Sequence, residues 1–269
     1  MSEPGMPQAP RRAALTFIFV TVVLDMLALG MVVPVLPHLI EDFLGGDIPR
    51  AAQLVGLFST VWAVMQFFSM PVMGALSDRF GRRPVILLSN FGLGLDYVLM
   101  ALAPTLSWLF VGRLISGVTA ASISTSMAYV ADVTPPERRA QSFGFVGVAF
   151  GLGFVLGPAI GGMLGSVDPR LPFWAAACAS LLNAAYGFFI LPESLAREKR
   201  RAFEWRRANP LGSLRFLRAH REVFALAGAA FLSNLTHAVL PAVFVLYAAY
   251  RYGWDEKAVG LALAGVGIS

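Results

Sequence analysis

Charge is scarce in this chain. Only 14% of its 269 residues are Asp, Glu, Lys or Arg, against roughly 25% in an ordinary soluble domain. So little charge cannot clothe a water-exposed globule, and a soluble fold is the first class excluded. Cysteine is nearly missing. The single one, Cys178, rules out a disulfide framework and reads as a small buried hydrophobe. The three histidines stand in no metal-ligand spacing, and no nucleophile elbow or phosphate loop is present. The pairs Gly92/Gly94 and Gly151/Gly153 fall inside apolar runs, not after strands, so they are not dinucleotide fingerprints. The chain therefore does not read as an enzyme, and nothing points to a resident metal or cofactor.

What is present is apolar. Hydrophobic residues make up 57% of the chain, and the mean hydropathy is +0.68. Runs of about 20 apolar residues are the length that crosses a hydrocarbon core of roughly 30 Å. Seven spans are predicted, at 13–36, 52–75, 84–103, 106–131, 141–164, 171–191 and 223–250. An eighth run begins near Ala258 and reaches Ser269. Arg11 and Arg12 precede a first run that is too long for a signal peptide and has no small-residue cleavage site after it.

The net charge of +5 is distributed by topology. Alternate loops hold sixteen basic residues: Arg11 and Arg12; Arg79, Arg82 and Arg83; Arg138 and Arg139; and nine between Arg197 and Arg221. The opposite loops hold four: Arg50, Arg170, Arg251 and Lys257. This is the positive-inside pattern. It predicts a multi-pass protein of a bilayer with a cytoplasmic N-terminus, and it removes the case for nucleic acid as partner.

Six closely spaced spans (1–191), a basic linker (192–222) and a hydrophobic restart (223–269) form the pattern of a carrier built from two six-helix halves. The linker is either a solvated tether or an amphipathic helix on anionic lipid. The expectation is an all-α membrane protein whose first half is complete and whose second half stops in helix 8. The missing C-terminal half would be needed for a full cavity. A genuine seven-span protein is the alternative.

Charges inside spans are costly, roughly 2.5–3.5 kcal/mol at a helix centre, and usually mark ion or substrate pathways. Asp25 lies mid-way along span 1, Asp96 mid-way along span 3 and Arg113 in the outer part of span 4; Asp132 closes that span. A carboxyl group away from water resists ionisation, which suits Asp25 and Asp96 to load and release a proton. The plainer reading is that one of them pairs with Arg113 to hold helices together. Gln66 and Asn90 are expected to line the same cavity as the two carboxyls. Asn183 and Asn234 are further polar residues in the spans; the hydroxyls Ser122, Ser124, Thr125 and Ser126 read as helix-packing groups, and His237, which could titrate, as structural.

Residues 74–84 read Gly-Ala-Leu-Ser-Asp-Arg-Phe-Gly-Arg-Arg-Pro, a charged turn between two spans. Gly74 and Gly81 supply backbone freedom, and Pro84 suits the first turn of the next helix. Asp78 is placed either to cap that helix or to meet Arg79, Arg82 and Arg83. Arg82 is expected to reach Asp132, a pair that would latch one side of a carrier. In span 5, Gly153, Gly157, Pro158, Gly161 and Gly162 combine a four-residue glycine spacing with a proline bend. They predict close packing on neighbouring helices, with a matching small face in span 4 at Gly117, Ala121 and Ala128.

Three of these motifs carry a family resemblance. Gly74-x-Leu76-x-Asp78-Arg79-x-Gly81-Arg82-Arg83 resembles the most widespread motif of the major facilitator superfamily of secondary transporters. Arg113-x-x-x-Gly117 resembles its helix 4 motif, and Gly153-x-x-x-Gly157-Pro158-x-x-Gly161-Gly162 the helix 5 signature of drug/proton antiporters. Leu24-Asp25, Pro34-Val35-Leu36-Pro37, Met65-Gln66-Phe67, Asp96-Tyr97, Tyr129-Val130-Ala131-Asp132, Leu191-Pro192-Glu193-Ser194 and Asn209-Pro210-Leu211 are similar to the tetracycline-resistance efflux proteins. The resemblance implies a major facilitator fold in a bacterial inner membrane and efflux of a drug in exchange for protons. Tetracycline bound to a divalent cation is the first substrate it implies. By position, Asp25, Asp96 and Gln66 would serve the proton and substrate site and Arg113 its charge network. Asp78, Arg82 and Asp132 would form a cytoplasmic gate. The rival readings are efflux of another amphipathic compound, proton-coupled import of a solute, and a non-transporting fragment that needs a partner.

Overall fold

In the computed structural model, residues 8–119, 122–205, 208–210 and 221–268 are described. Among them the regular structure is helical. Helix α1 (Gln8–Val32) and helix α2 (Leu36–Phe43) are one membrane-length span broken at Val33–Val35. Pro34 has no N–H to give a helix. The chain passes it on tighter bonds, with Val33 N donating to Gly30 O at 3.3 Å and Val35 N to Val32 O at 3.2 Å.

Helix α3 (Ile48–Phe80) starts at Asp47, whose side chain accepts the Arg50 N–H. It runs to Phe80, beyond the predicted end at residue 75, and continues directly into α4 (Arg82–Ala101). The expected turn over 74–84 is thus a single residue, Gly81, at φ +107°. Gly74 lies inside α3, where nothing crowds it. It is not part of a turn, because Leu76 to Phe80 keep helical bonds and Gly81 N closes onto Ser77 O at 3.1 Å.

The fourth predicted span corresponds to α5 (Leu106–Thr119) and α6 (Ser122–Val133), with residues 120–121 outside the described residues. A 3-10 turn at Pro136–Arg138 leads into α7 (Arg139–Gly165), followed by α8 (Leu171–Ile190). After a second 3-10 turn, Arg197–Lys199, come α9 (Arg221–Tyr252), which contains the seventh predicted span, and α10 (Glu256–Ile268). Among the described residues, six stretches, from Leu15 to Ile190, are long and apolar enough to cross a membrane. Ala121 and the side chains of Ser122 and His237 lie outside the described residues.

Large apolar side chains point outward as well as inward. Leu88, Leu182 and Phe189 are 65%, 67% and 83% exposed, the surface that a lipid-facing bundle needs and a soluble one avoids. The interior is held by close helix approach. Helix α1 packs on α7 and α8, α4 on α8 and α5, α3 on α5, and α10 on α7. On one side of α7, Gly153, Gly157 and Gly161 lie against Met26, Gly30 and Met31 of α1. A Cβ on Gly30 would stand 2.9 Å from Gly157 Cα. On the other side, Gly162 meets Glu256 and Gly260 of α10, and Gly260 lies against the Pro158 carbonyl. The helix 5 motif is a spacer between two helices, as its glycine spacing implies. Gly117 packs on Trp62 and Met65 of α3.

Candidate functional site: buried carboxyls and a charged helix junction

Two groups of polar residues stand out against this apolar frame. The first is inside the bundle. Asp25 is 7% exposed on α1 and Asp96 is 1% exposed on α4. Asn183 of α8 donates through Nδ2 to Asp25 Oδ1 at 3.0 Å and to the Thr21 carbonyl at 3.2 Å. Gly112, preceding Arg113, makes room for Asp96; a Cβ there would be 3.1 Å from Asp96 Oδ1. Tyr97 lies in electrostatic contact with Asp25, Asp96 and Arg113 alike. The two carboxyls and the guanidinium therefore share one buried neighbourhood.

Asp96 and Arg113 do not close into an ion pair. Arg113 Nη2 donates to Met100 Sδ at 3.5 Å, and its Nε and both Asp96 oxygens have no hydrogen-bond partner among the described residues. The expectation of a simple carboxylate–arginine tie is not met, since Met100 stands one turn along α4 from Asp96 and takes the guanidinium.

Gln66 and Asn90 differ in burial. Asn90 is fully buried within the bundle, and Gln66 is half-buried on α3. A cavity of about 320 Å³ does open between α1, α3 and α7, lined by Leu29, Val55, Trp62, Arg113 and Phe154 among others. Of the predicted group it holds Arg113, not Asp25, Asp96, Gln66 or Asn90. Asp96 lies beside Gly112 of α5. Of the hydroxyls, Thr125 and Ser126 are buried in the bundle.

The second group sits at the α3–α4 junction. Arg82, 9% exposed, is its centre. Its Nε donates to Asp132 Oδ2 at 3.0 Å, the pairing expected from sequence. Its Nη1 meets Asp78 Oδ1 at 2.6 Å and Ser77 Oγ at 2.6 Å. Arg83 Nη2 donates to the Phe188 carbonyl at 2.6 Å and lies over the Phe188 ring. Arg79 is exposed and covers the Phe80 ring.

Asp78 does not cap α4. It belongs to α3, four residues before Arg82, and its carboxylate is taken by that side chain. The cap comes from far along the chain. Glu193 Oε1 accepts the Arg82 backbone N–H at 2.9 Å and the Leu195 N–H at 3.0 Å. Glu193 Oε2 lies 3.8 Å from Arg200 Nη2. Around it, Tyr129 Oη donates to the Pro192 carbonyl at 3.0 Å and Ser194 Oγ to Asp132 Oδ2 at 3.3 Å. Arg201 N donates to the Asp78 carbonyl at 3.1 Å. The start of the basic linker is therefore strapped across the junction.

Glu193, Ser194, Tyr129 and Asn183 are residues that sequence reasoning did not assign to either group. For Glu193 the usable signal was an acidic residue opening an otherwise basic linker. For Asn183 it was an amide in the middle of a span.

The model of the Major Facilitator Superfamily matches residues 18–269. The tetracycline resistance protein of class C from Escherichia coli is 42% identical over 95% of this chain and 64% of its own length. The class D protein from Salmonella ordonez is 37% identical over 92% of this chain and 62% of its own length. The chain thus spans under two thirds of these relatives. Among solved structures, the human organic anion transporter MFSD10 (TETRAN) superposes with a TM-score of 0.77 at 28% identity, over 98% of this chain and 70% of that one. Placed beside the motifs at 74–84, 113–117 and 153–162, the match leaves one conclusion: the chain belongs to the Major Facilitator Superfamily.

Proposed function

We propose that this chain supplies the first half, and the opening helices of the second, of a membrane exporter that exchanges an amphipathic drug for protons. Tetracycline as a divalent-metal chelate is the first substrate to test. The observation that carries this reading is a pair of carboxyls, Asp25 and Asp96, buried together in a chain 42% identical to a tetracycline resistance protein. A carboxyl group kept from water binds a proton readily and gives it up when its surroundings change. Asp25 and Asp96 would take protons from the outer side and lose them inside, with Arg113 adjusting the local charge. Gln66 and Asn90 remain in this reading as polar neighbours of the path.

The junction at Gly81 would be the latch. Breaking Arg82 away from Asp78 and Asp132 opens one end of the bundle, and the spacer helix α7 lets α1 and α10 rock upon it. The basic loops place this end, and the N-terminus, in the cytoplasm of a bacterial inner membrane. The partners are lipid, protons, the drug and the remaining helices of a two-half carrier. No resident cofactor or metal is invoked beyond a cation carried by the substrate. A second reading is export of another amphipathic compound by the same mechanism. It is favoured by the likeness to a structure described as an organic anion transporter.

Everted membrane vesicles test this. Magnesium–tetracycline should accumulate inside them when the interior is acid, and an imposed drug gradient should move protons the other way. Accumulation of an organic anion in place of tetracycline would support the second reading. Uptake in the opposite sense, in right-side-out vesicles, would replace export with import. No flux of either would return the chain to the fragment reading.

A further inference from the structure

We propose that Asn183 is the positioning residue for Asp25, and that its amide favours the ionised form of that carboxyl group. The inference deepens the reading of Asp25 as a proton site and rests on it.

Asn183 is fully buried on α8 and faces one turn of α1. Its Nδ2 serves two acceptors at once, the Thr21 carbonyl at 3.2 Å and Asp25 Oδ1 at 3.0 Å. Thr21 and Asp25 are four residues apart, so the carbonyl that accepts the helix bond from Asp25 N–H also takes the amide of Asn183. The orientation of that amide follows from the chemistry. A backbone carbonyl only accepts, so the atom 3.2 Å from it must be the NH2 group and not the amide oxygen. Both Nδ2 hydrogens are then committed to α1.

The amide holds Asp25 Oδ1 as an acceptor and so orients the carboxyl group; its proton comes from hydronium, which leaves as water, and release reverses the step. Asn183 also favours the ionised carboxylate, because a bond from an amide to a charged oxygen is stronger than one to a neutral acid.

Other groups also face this part of α1. From α7 come the glycines Gly153, Gly157 and Gly161. From α8 Tyr186 stacks on Phe17 at 5.0 Å. From α6 Tyr129 is spent on the Pro192 carbonyl. From α4, Tyr97 reaches Asp25 electrostatically, as it does Asp96 and Arg113.

Infrared titration of the purified, full-length protein tests the proposal. The carboxyl band missing from Asp25→Asn identifies Asp25, and the band missing from Asp96→Asn identifies Asp96. In Asn183→Leu, which keeps volume and removes the donor, the Asp25 midpoint should move to higher pH by about one to two pH units. The Asp96 midpoint should stay. In Asn183→Gln, whose amide can still donate, part of the shift should be recovered. An Asp25 midpoint equal in the unchanged protein and Asn183→Leu overturns the proposal. If Asn183→Leu does not reach the membrane, Asn183→Ser, too short to span to both acceptors, is read by the same criterion. Uptake of magnesium–tetracycline by everted vesicles of the unchanged protein is measured beside it. Absence of uptake there defeats the export reading, while the titration still decides the role of Asn183.

Discussion

The carboxylate of Glu193 receives the backbone N–H of Arg82, 111 positions earlier in the sequence, at 2.9 Å. Arg82 is the first residue of α4, where four N–H groups have no partner inside the helix. A carboxylate at that position satisfies one of them and meets the positive end of the helix dipole. The segment that follows α8 is thereby fastened to the same junction that holds Asp78 and Asp132.

Glu193→Ala should loosen the strap. It removes acceptors for Arg82 and Leu195 at once, each worth about 1–3 kcal/mol where burial leaves the donor unsatisfied. The aggregation midpoint of the purified protein should fall by several degrees. Glu193→Gln keeps an acceptor oxygen and should lose less than half as much.

Gly81 and Gly74 look alike in sequence and should behave oppositely. At φ +107° a side chain is strained, and a Cβ on Gly81 would collide with the Glu193 carboxylate. Gly81→Ala should cost about 1–3 kcal/mol and lower the amount of protein in the membrane. Gly74 is in mid-helix with open space around it, so Gly74→Ala should be neutral or gain up to roughly 1 kcal/mol. Membrane yield and thermal midpoint read both.

The two acids on Arg82 should not contribute equally. The Asp132 side chain is 24% exposed and Asp78 45%. Screening by water weakens the second pair more. Asp132→Asn should cost about 1.5–3 kcal/mol and Asp78→Asn less than about 1 kcal/mol. A double-mutant cycle with Arg82→Gln measures each coupling, and raised salt should erode the Asp78 coupling first.

On α7, Gly157 touches the backbone of α1, while Gly151 has nothing near it. Gly157→Ala should cost about 1–3 kcal/mol by forcing α1 and α7 apart. Gly151→Ala should leave the thermal midpoint within a degree or two.

The spans were legible because crossing a membrane imposes a length and a composition that no neighbour can alter. The Arg82–Asp132 contact was legible because both charges end spans on the same side. The sequence left Asp78 two roles, capping α4 or meeting the arginines, and the structure shows the second; Leu76–Phe80 carry no signal that separates the end of one helix from a turn. Glu193 was passed over because its partner is remote in sequence, and proximity of that kind is made only by the fold. Gln66 joins Asp25 by polarity and by resemblance, Asn90 by polarity; their burial, which apolar neighbours decide, was not legible, and Asn90 lies within the bundle while Gln66 is half-buried on α3.

The central claim is that buried carboxyls couple drug movement to protons. The direct measurement is proton movement evoked by magnesium–tetracycline in everted vesicles, compared between the unchanged protein, Asp25→Asn and Asp96→Asn. The account predicts drug-evoked proton flux from the unchanged protein and its loss, by at least about tenfold, in both variants. Equal flux in all three would contradict it.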